Sequence, residues 1–147
     1  NQISPDGPVY QAGMLSGNPV AMAAGITTLN LISAPQFFEN LTAKVKSLLI
    51  GLKNVAANAD IPIATNGVGG MFGLFFTDAD KVTCFDEVMA CDAERFKLFF
   101  HGMLDQGIYL APSSFEAGFV SAAHNENDIA DTIEAASRVM ETLPKSD

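Results

Sequence analysis

Apolar residues recur at helical spacing from Phe37 to Val55: Phe37, Phe38, Leu41, Val45, Leu48, Leu49, Leu52 and Val55. They fall on one stripe of a helix reaching about Ala57, because side chains three and four apart share a face. A stripe this long must be buried, so the chain has to supply a core opposite it. "SAPQ" puts Ser33 three positions before Gln36 with Pro35 between, which predicts a capping box at the helix start. With 147 residues, 48% of them hydrophobic, the chain can bury one core as a single domain, or as one domain with part of another.

The remaining elements follow from local signals. Asn18-Pro19 has the order of an N-cap and a first helical residue, predicting a helix over 19–31. Val20, Met22, Ala23, Ala24, Ile26 and Leu29 are spread around it, which predicts burial between other layers. Residues 61–64 read as a short extended piece, 66–70 as a turn cluster and 71–77 as an apolar strand. Residues 78–91 read as a polar connection with one helical turn over 85–89. Asp92 caps a helix through Gln106 that presents Phe96, Phe99, Phe100, Met103 and Leu104 to one side and stops at Gly107. Short strands are predicted at 108–111 and 119–122. The last helix begins near Asn125, with Ile129, Ile133, Ala136, Met140 and Leu143 on one face.

These strands lie too close together for every connection to be a parallel crossover. The expected fold is therefore α+β, a small mixed or antiparallel sheet covered by helices.

The formal charge of −9 repels polyanions, so neither nucleic acid nor an anionic membrane surface is an expected partner. No uninterrupted apolar run approaches the ~20 residues of a membrane-spanning helix. No basic-then-apolar leader opens the sequence, and a soluble, cytoplasmic protein is expected. Cys84 and Cys91 form neither a disulfide framework nor a zinc spacing and are expected as reduced thiols.

Two stretches could carry chemistry. In "GPVYQAGMLSGNPVAMAAG", Gly13 and Gly17 precede a capped helix start, the arrangement in which free backbone N–H groups meet phosphate. A capped helix after a tight loop explains the same residues. In "PSSFEAGF", Glu116 stands between Phe115 and Phe119, where partial desolvation would suit it to hydrogen bonding or proton handling. An exposed turn carboxylate is the alternative. His101 and His124 have no Cys, Asp or second His at ligand spacing, and Glu126, Asp128, Asp131 and Glu134 read as a solvated face that favours the helix dipole, so no metal site is expected.

Taken together, "GPVYQAGMLSGNPVAMAAG" and "APSSFEAGFVSAAHNENDIADTIEAA" resemble the glutamate-1-semialdehyde 2,1-aminomutases of the class III pyridoxal-phosphate aminotransferase group. The resemblance runs through essentially the whole chain, and the pairing of the GNP and FEAGF elements is what carries it to the aminomutases. It implies pyridoxal 5'-phosphate as cofactor and conversion of (S)-4-amino-5-oxopentanoate to 5-aminolevulinate, the tetrapyrrole precursor. It further implies that residues 1–33 end a large cofactor domain and supply its linking helix, and that 34–147 form the C-terminal small domain of a fold-type I enzyme. Gly13 and Met14 then match a loop that binds the cofactor phosphate across a homodimer interface, and Glu116 matches a carboxylate near the cofactor.

Two departures qualify what carries over. The family usually has Thr where this chain has Met14, and a thioether cannot donate the hydroxyl's hydrogen bond. Losing a bond to a charged group costs about 1.5–3 kcal/mol, or about tenfold to a hundredfold in cofactor affinity, unless Ser16 or water substitutes. The family's Schiff-base lysine lies upstream of the GPVYQAG element, and none of Lys44, Lys46, Lys53, Lys81, Lys97 and Lys145 matches it. The chain is thus expected to be the C-terminal part of a longer enzyme and inactive by itself. Another class III aminotransferase acting on an ω-amino acid, or a non-catalytic dimerisation or binding domain, are the competing expectations.

Overall fold

The computed structural model describes residues 1–145. The chain divides into two compact units, residues 1–35 and the residues from Gln36 onward.

The first unit opens on a loop closed by a parallel bridge between Ile3 and Val9 and continues to helix α1, Pro19–Ile32. Asn18 caps α1, its Oδ1 accepting from the N–H groups of Val20 and Ala21 at 3.1 Å each. The expectation that α1 is buried is not met: no residue of α1 is buried, and Val20, Ile26 and Leu29 are largely exposed. Apolar composition all round signals that a helix is to be covered, and its own unit does not cover α1.

The second unit contains helices α2 (Phe37–Asn58), α3 (Phe85–Met89), α4 (Ala93–Asp105) and α5 (Glu126–Met140) and strands β1 (Ile63–Val68), β2 (Met71–Phe76) and β3 (Gly118–Phe119). The sheet is antiparallel in the order β1-β2-β3, an α+β arrangement as expected. β1 and β2 form a hairpin whose two linking residues are Gly69 and Gly70, and Gly69 takes a φ of +55°, where a Cβ is costly. Asn66, Gly67 and Val68, expected in the turn, extend β1 instead. They pair with Gly73, Phe72 and Met71, so the hairpin tightens to its shortest connection.

Phe72, Leu74 and Phe76 alternate toward α2 and α4, and α5 packs on both helices. The core holds Val45, Leu48, Leu52 and Ala56 from α2, Phe96, Phe99, Phe100 and Met103 from α4, and Ile129, Ala135, Ala136, Val139 and Met140 from α5. Gly51 faces Ile133 so closely that a Cβ there would stand 2.2 Å from Cδ1 of Ile133, which sets how near α2 and α5 approach. An Asn125–Asp128 capping box begins α5.

Four further expectations are corrected. Ser33 and Gln36 make no capping box: Ser33 closes α1 by donating to the Leu29 carbonyl, and Gln36 precedes α2 at φ +64° without a side-chain bond. Residues 108–111 are not a strand, because Ile108 N–H donates to the Met103 carbonyl at 2.9 Å and finishes α4, while Ile108 and Leu110 pack on the core as irregular chain. The strand expected at 119–122 shortens to Gly118–Phe119, followed by one backbone bond from Val120 N–H to the Gly70 carbonyl at 2.8 Å. Leu104, placed on the buried side of α4, is 43% exposed.

Candidate functional site

The glycine-rich loop of the first unit is two overlapping turns. Ser16 N–H donates to the Gly13 carbonyl at 2.9 Å, and Asn18 N–H donates to the Leu15 carbonyl at 3.1 Å. Gly17 at φ +75° leads the chain into the Asn18 cap. A Cβ on Gly13 would stand 2.9 Å from the Ser16 hydroxyl, so a side chain at 13 would fill the space beside that oxygen. The Met14 side chain is 98% exposed and offers no hydrogen-bond donor. Because Asn18 occupies the Val20 and Ala21 N–H groups, the donors an anion would find here belong to the loop and to Ser16 rather than to the helix end.

Glu116 lies in the second unit, on the loop between Leu110 and β3. Ser113 organises this turn twice. Its Oγ accepts from Phe115 N–H at 3.2 Å, and its carbonyl accepts from Glu116 N–H at 3.1 Å. Glu116 is exposed, as the turn alternative has it, and is not desolvated by its aromatic neighbours. Phe115 turns its ring to Phe85 of α3, at 5.9 Å between centroids and 37° between planes, and Phe119 is 66% exposed, so neither ring covers Glu116.

Glu116 borders two cavities. One, of about 390 Å³, is walled by Leu52, Phe72, Phe96, Phe99 and Met103 and reaches the core. The other, of about 340 Å³, lies on the opposite face of the sheet among Met71, Phe75, Phe85, Val88 and Phe115. Both have the size and apolar lining of small-molecule pockets. Gly118 is required at this edge, since a Cβ there would stand 2.3 Å from the Phe72 ring.

Segment 77–91 reaches the same sheet face. Asn66 Nδ2 donates to the Val82 carbonyl at 2.6 Å, and Val82 is buried. The Glu87 carboxylate accepts from both the N–H and the hydroxyl of Thr83, and these bonds hold its pKa below the ordinary 4.5. Burial raises the pKa of the Cys91 thiol above its ordinary value, keeping it in the unreactive protonated form. His124 Nδ1 accepts from Ser121 N–H at 2.9 Å, a structural role, and His101 stands exposed beside the Phe100 ring. Among the described residues, no three His, Cys, Asp or Glu side chains are grouped to hold a metal. No helix among them is long and apolar enough to cross a membrane.

Gly13 and Met14 thus belong to one unit and Glu116 to the other. Sequence reasoning missed Ser113 and Phe85. The first had a signal in the Ser-x-Phe turn pattern, but the second had none, because its contact joins residues thirty positions apart.

A family model described as aminotransferase class-III matches residues 1–136. An ω-transaminase from Sphaerobacter thermophilus is similar in structure, with 20% identity and a TM-score of 0.74 over 94% of this chain and 32% of that one. A β-phenylalanine aminotransferase from Variovorax paradoxus aligns at 23% identity and a TM-score of 0.74 over 98% of this chain and 34% of that one. The FumI protein of Sphingopyxis sp. MTA144, in its PLP internal aldimine form, aligns at 25% identity and a TM-score of 0.71, covering 92% and 31%. The chain therefore spans about a third of the length of these solved chains.

Proposed function

Because the chain belongs to the class-III aminotransferases, we infer that it works as the C-terminal part of a pyridoxal 5'-phosphate enzyme, and specifically of a glutamate-1-semialdehyde 2,1-aminomutase. The enzyme isomerises (S)-4-amino-5-oxopentanoate to 5-aminolevulinate, moving an amino group between adjacent carbons with no net gain or loss of atoms. The observation that carries the finer reading is the FEAGF element, whose Glu116 borders both cavities of the second unit.

The cofactor, when bound, supplies the electron sink for bond changes at the amino-bearing carbon. The donor set of the Gly13–Asn18 loop fits a phosphate group: backbone N–H groups, the Ser16 hydroxyl and no side chain at 13 to fill the space. In this reading Gly13 and Met14 hold the phosphate in the partner subunit's site of a homodimer, and the apolar α1 is covered in the assembled enzyme. Glu116 orients substrate or cofactor by accepting a hydrogen bond at its carboxylate. The chemistry needs the lysine supplied by the rest of the enzyme.

The deciding test is to give the intact protein glutamate-1-semialdehyde and measure 5-aminolevulinate. Its formation without an external amino donor is the expected result. Transamination of an ω-amino acid with a keto acid, and no 5-aminolevulinate, would replace the aminomutase by an ordinary class III aminotransferase.

Met14→Thr is expected to tighten cofactor binding. With the Ser16 hydroxyl already at the loop, the added donor contributes about 0.5–1.5 kcal/mol, or about twofold to tenfold in the dissociation constant. Equal constants for the two forms would reject the loop's role.

A further inference from the structure

Glu116 is held from two directions, and only one of them is local. The local hold is the Ser113 turn, with its two bonds to the N–H groups of Phe115 and Glu116. The second comes from α3. This five-residue helix has no buried residue, so packing does not fix it. It is held at both flanks: before it Asn66 of β1 donates to the Val82 carbonyl and Thr83 donates twice to Glu87, and after it Asp92 N–H donates to the Phe76 carbonyl of β2. That anchorage places the Phe85 ring against Phe115. Phe85 is 67% exposed and Phe115 53% exposed, so what each ring retains of its packing includes the other.

We propose that Phe85 is a positioning residue: through its ring contact with Phe115 it transmits the placement of α3 on the sheet to the 113–116 turn, and so fixes where the Glu116 carboxylate stands between the two cavities. The catalytic consequence rests on the reading of Glu116 given above, whereas the mechanical link from Phe85 to Glu116 does not. An aromatic pair at this separation contributes enough to hold a short turn, and truncating an exposed ring leaves no core cavity.

The test compares Phe85→Ala and Phe85→Tyr in the intact protein, by millisecond hydrogen exchange at the Phe115 and Glu116 amides and by steady-state kinetics. Phe85→Ala is expected to speed exchange at these two amides about twofold to tenfold while the α2 and α5 amides keep their protection. It lowers kcat by a similar factor with KM nearly constant, the pattern of an interaction used in the transition state. Phe85→Tyr keeps the ring and restores both. Unchanged exchange in Phe85→Ala overturns the proposal whatever the activity does. Faster exchange with unaltered kcat upholds the link and overturns the role assigned to Glu116, so the two failures read differently.

Discussion

Phe99→Ala lowers the stability of the fold by about 3–5 kcal/mol. Phe99 has no exposed surface, sits at the middle of α4 and meets the Phe76 ring at 5.4 Å and 58°. Truncation removes the transfer free energy of a buried ring and its aromatic contact. The void it leaves joins the cavity of about 390 Å³ that Phe99 already lines, and a wall with open space behind it has little to collapse onto. The measurement is the urea midpoint by far-ultraviolet circular dichroism, with Leu98→Ala as control. Leu98 neighbours Phe99 on α4 but is 49% exposed, so its loss changes stability by less than about 1 kcal/mol. Equal effects from the two substitutions would mean that α4 does not dock on the sheet through Phe99.

Gly51→Val is the second large effect, and it acts by excess rather than by loss. Alanine already puts its Cβ 2.2 Å from Cδ1 and 2.6 Å from Cγ1 of Ile133, and valine adds two methyl groups to the same seam. Removing glycine from a helix interior gains up to about 1 kcal/mol in propensity, of which valine keeps only part. Overpacking costs about 1–3 kcal/mol or more, so destabilisation wins, by about 1–3 kcal/mol. The diagnostic is Ile133→Ala in the Gly51→Val background. It destabilises the unsubstituted fold but relieves the clash, so the double variant recovers part of the loss. Additive losses would place the cost of valine in α2 alone.

Much of this fold is legible in the chain because long periodic stretches fix both element and facing. The α2, α4 and α5 stripes predicted a core that the structure builds from Val45, Leu48, Leu52, Phe96, Phe99, Met103, Ile129, Ala136 and Met140. Even the single turn at Phe85–Met89 was legible from its local pattern. What escaped depended on partners distant in sequence. Residues 108–111 are as apolar as a strand, yet the Ile108 amide is consumed by α4. The composition of α1 states a need for cover without stating where the cover comes from. Glu116 was legible as a candidate, but its aromatic neighbours did not determine its exposure, because the Phe115 ring turns to Phe85 and not to the carboxylate between them.

The seam between α2 and α5 also has a consequence in time. Gly51 and Ile133 touch although more than half the chain separates them, while the β1–β2 hairpin joins near neighbours. During synthesis the hairpin and α2 can form early and pack on one another, but the part of α2 that meets α5 stays open until α5 has left the ribosome. Over that interval of translation the nascent chain shows the face of α2 around Gly51 to its surroundings, a window in which a chaperone that binds apolar segments competes with aggregation.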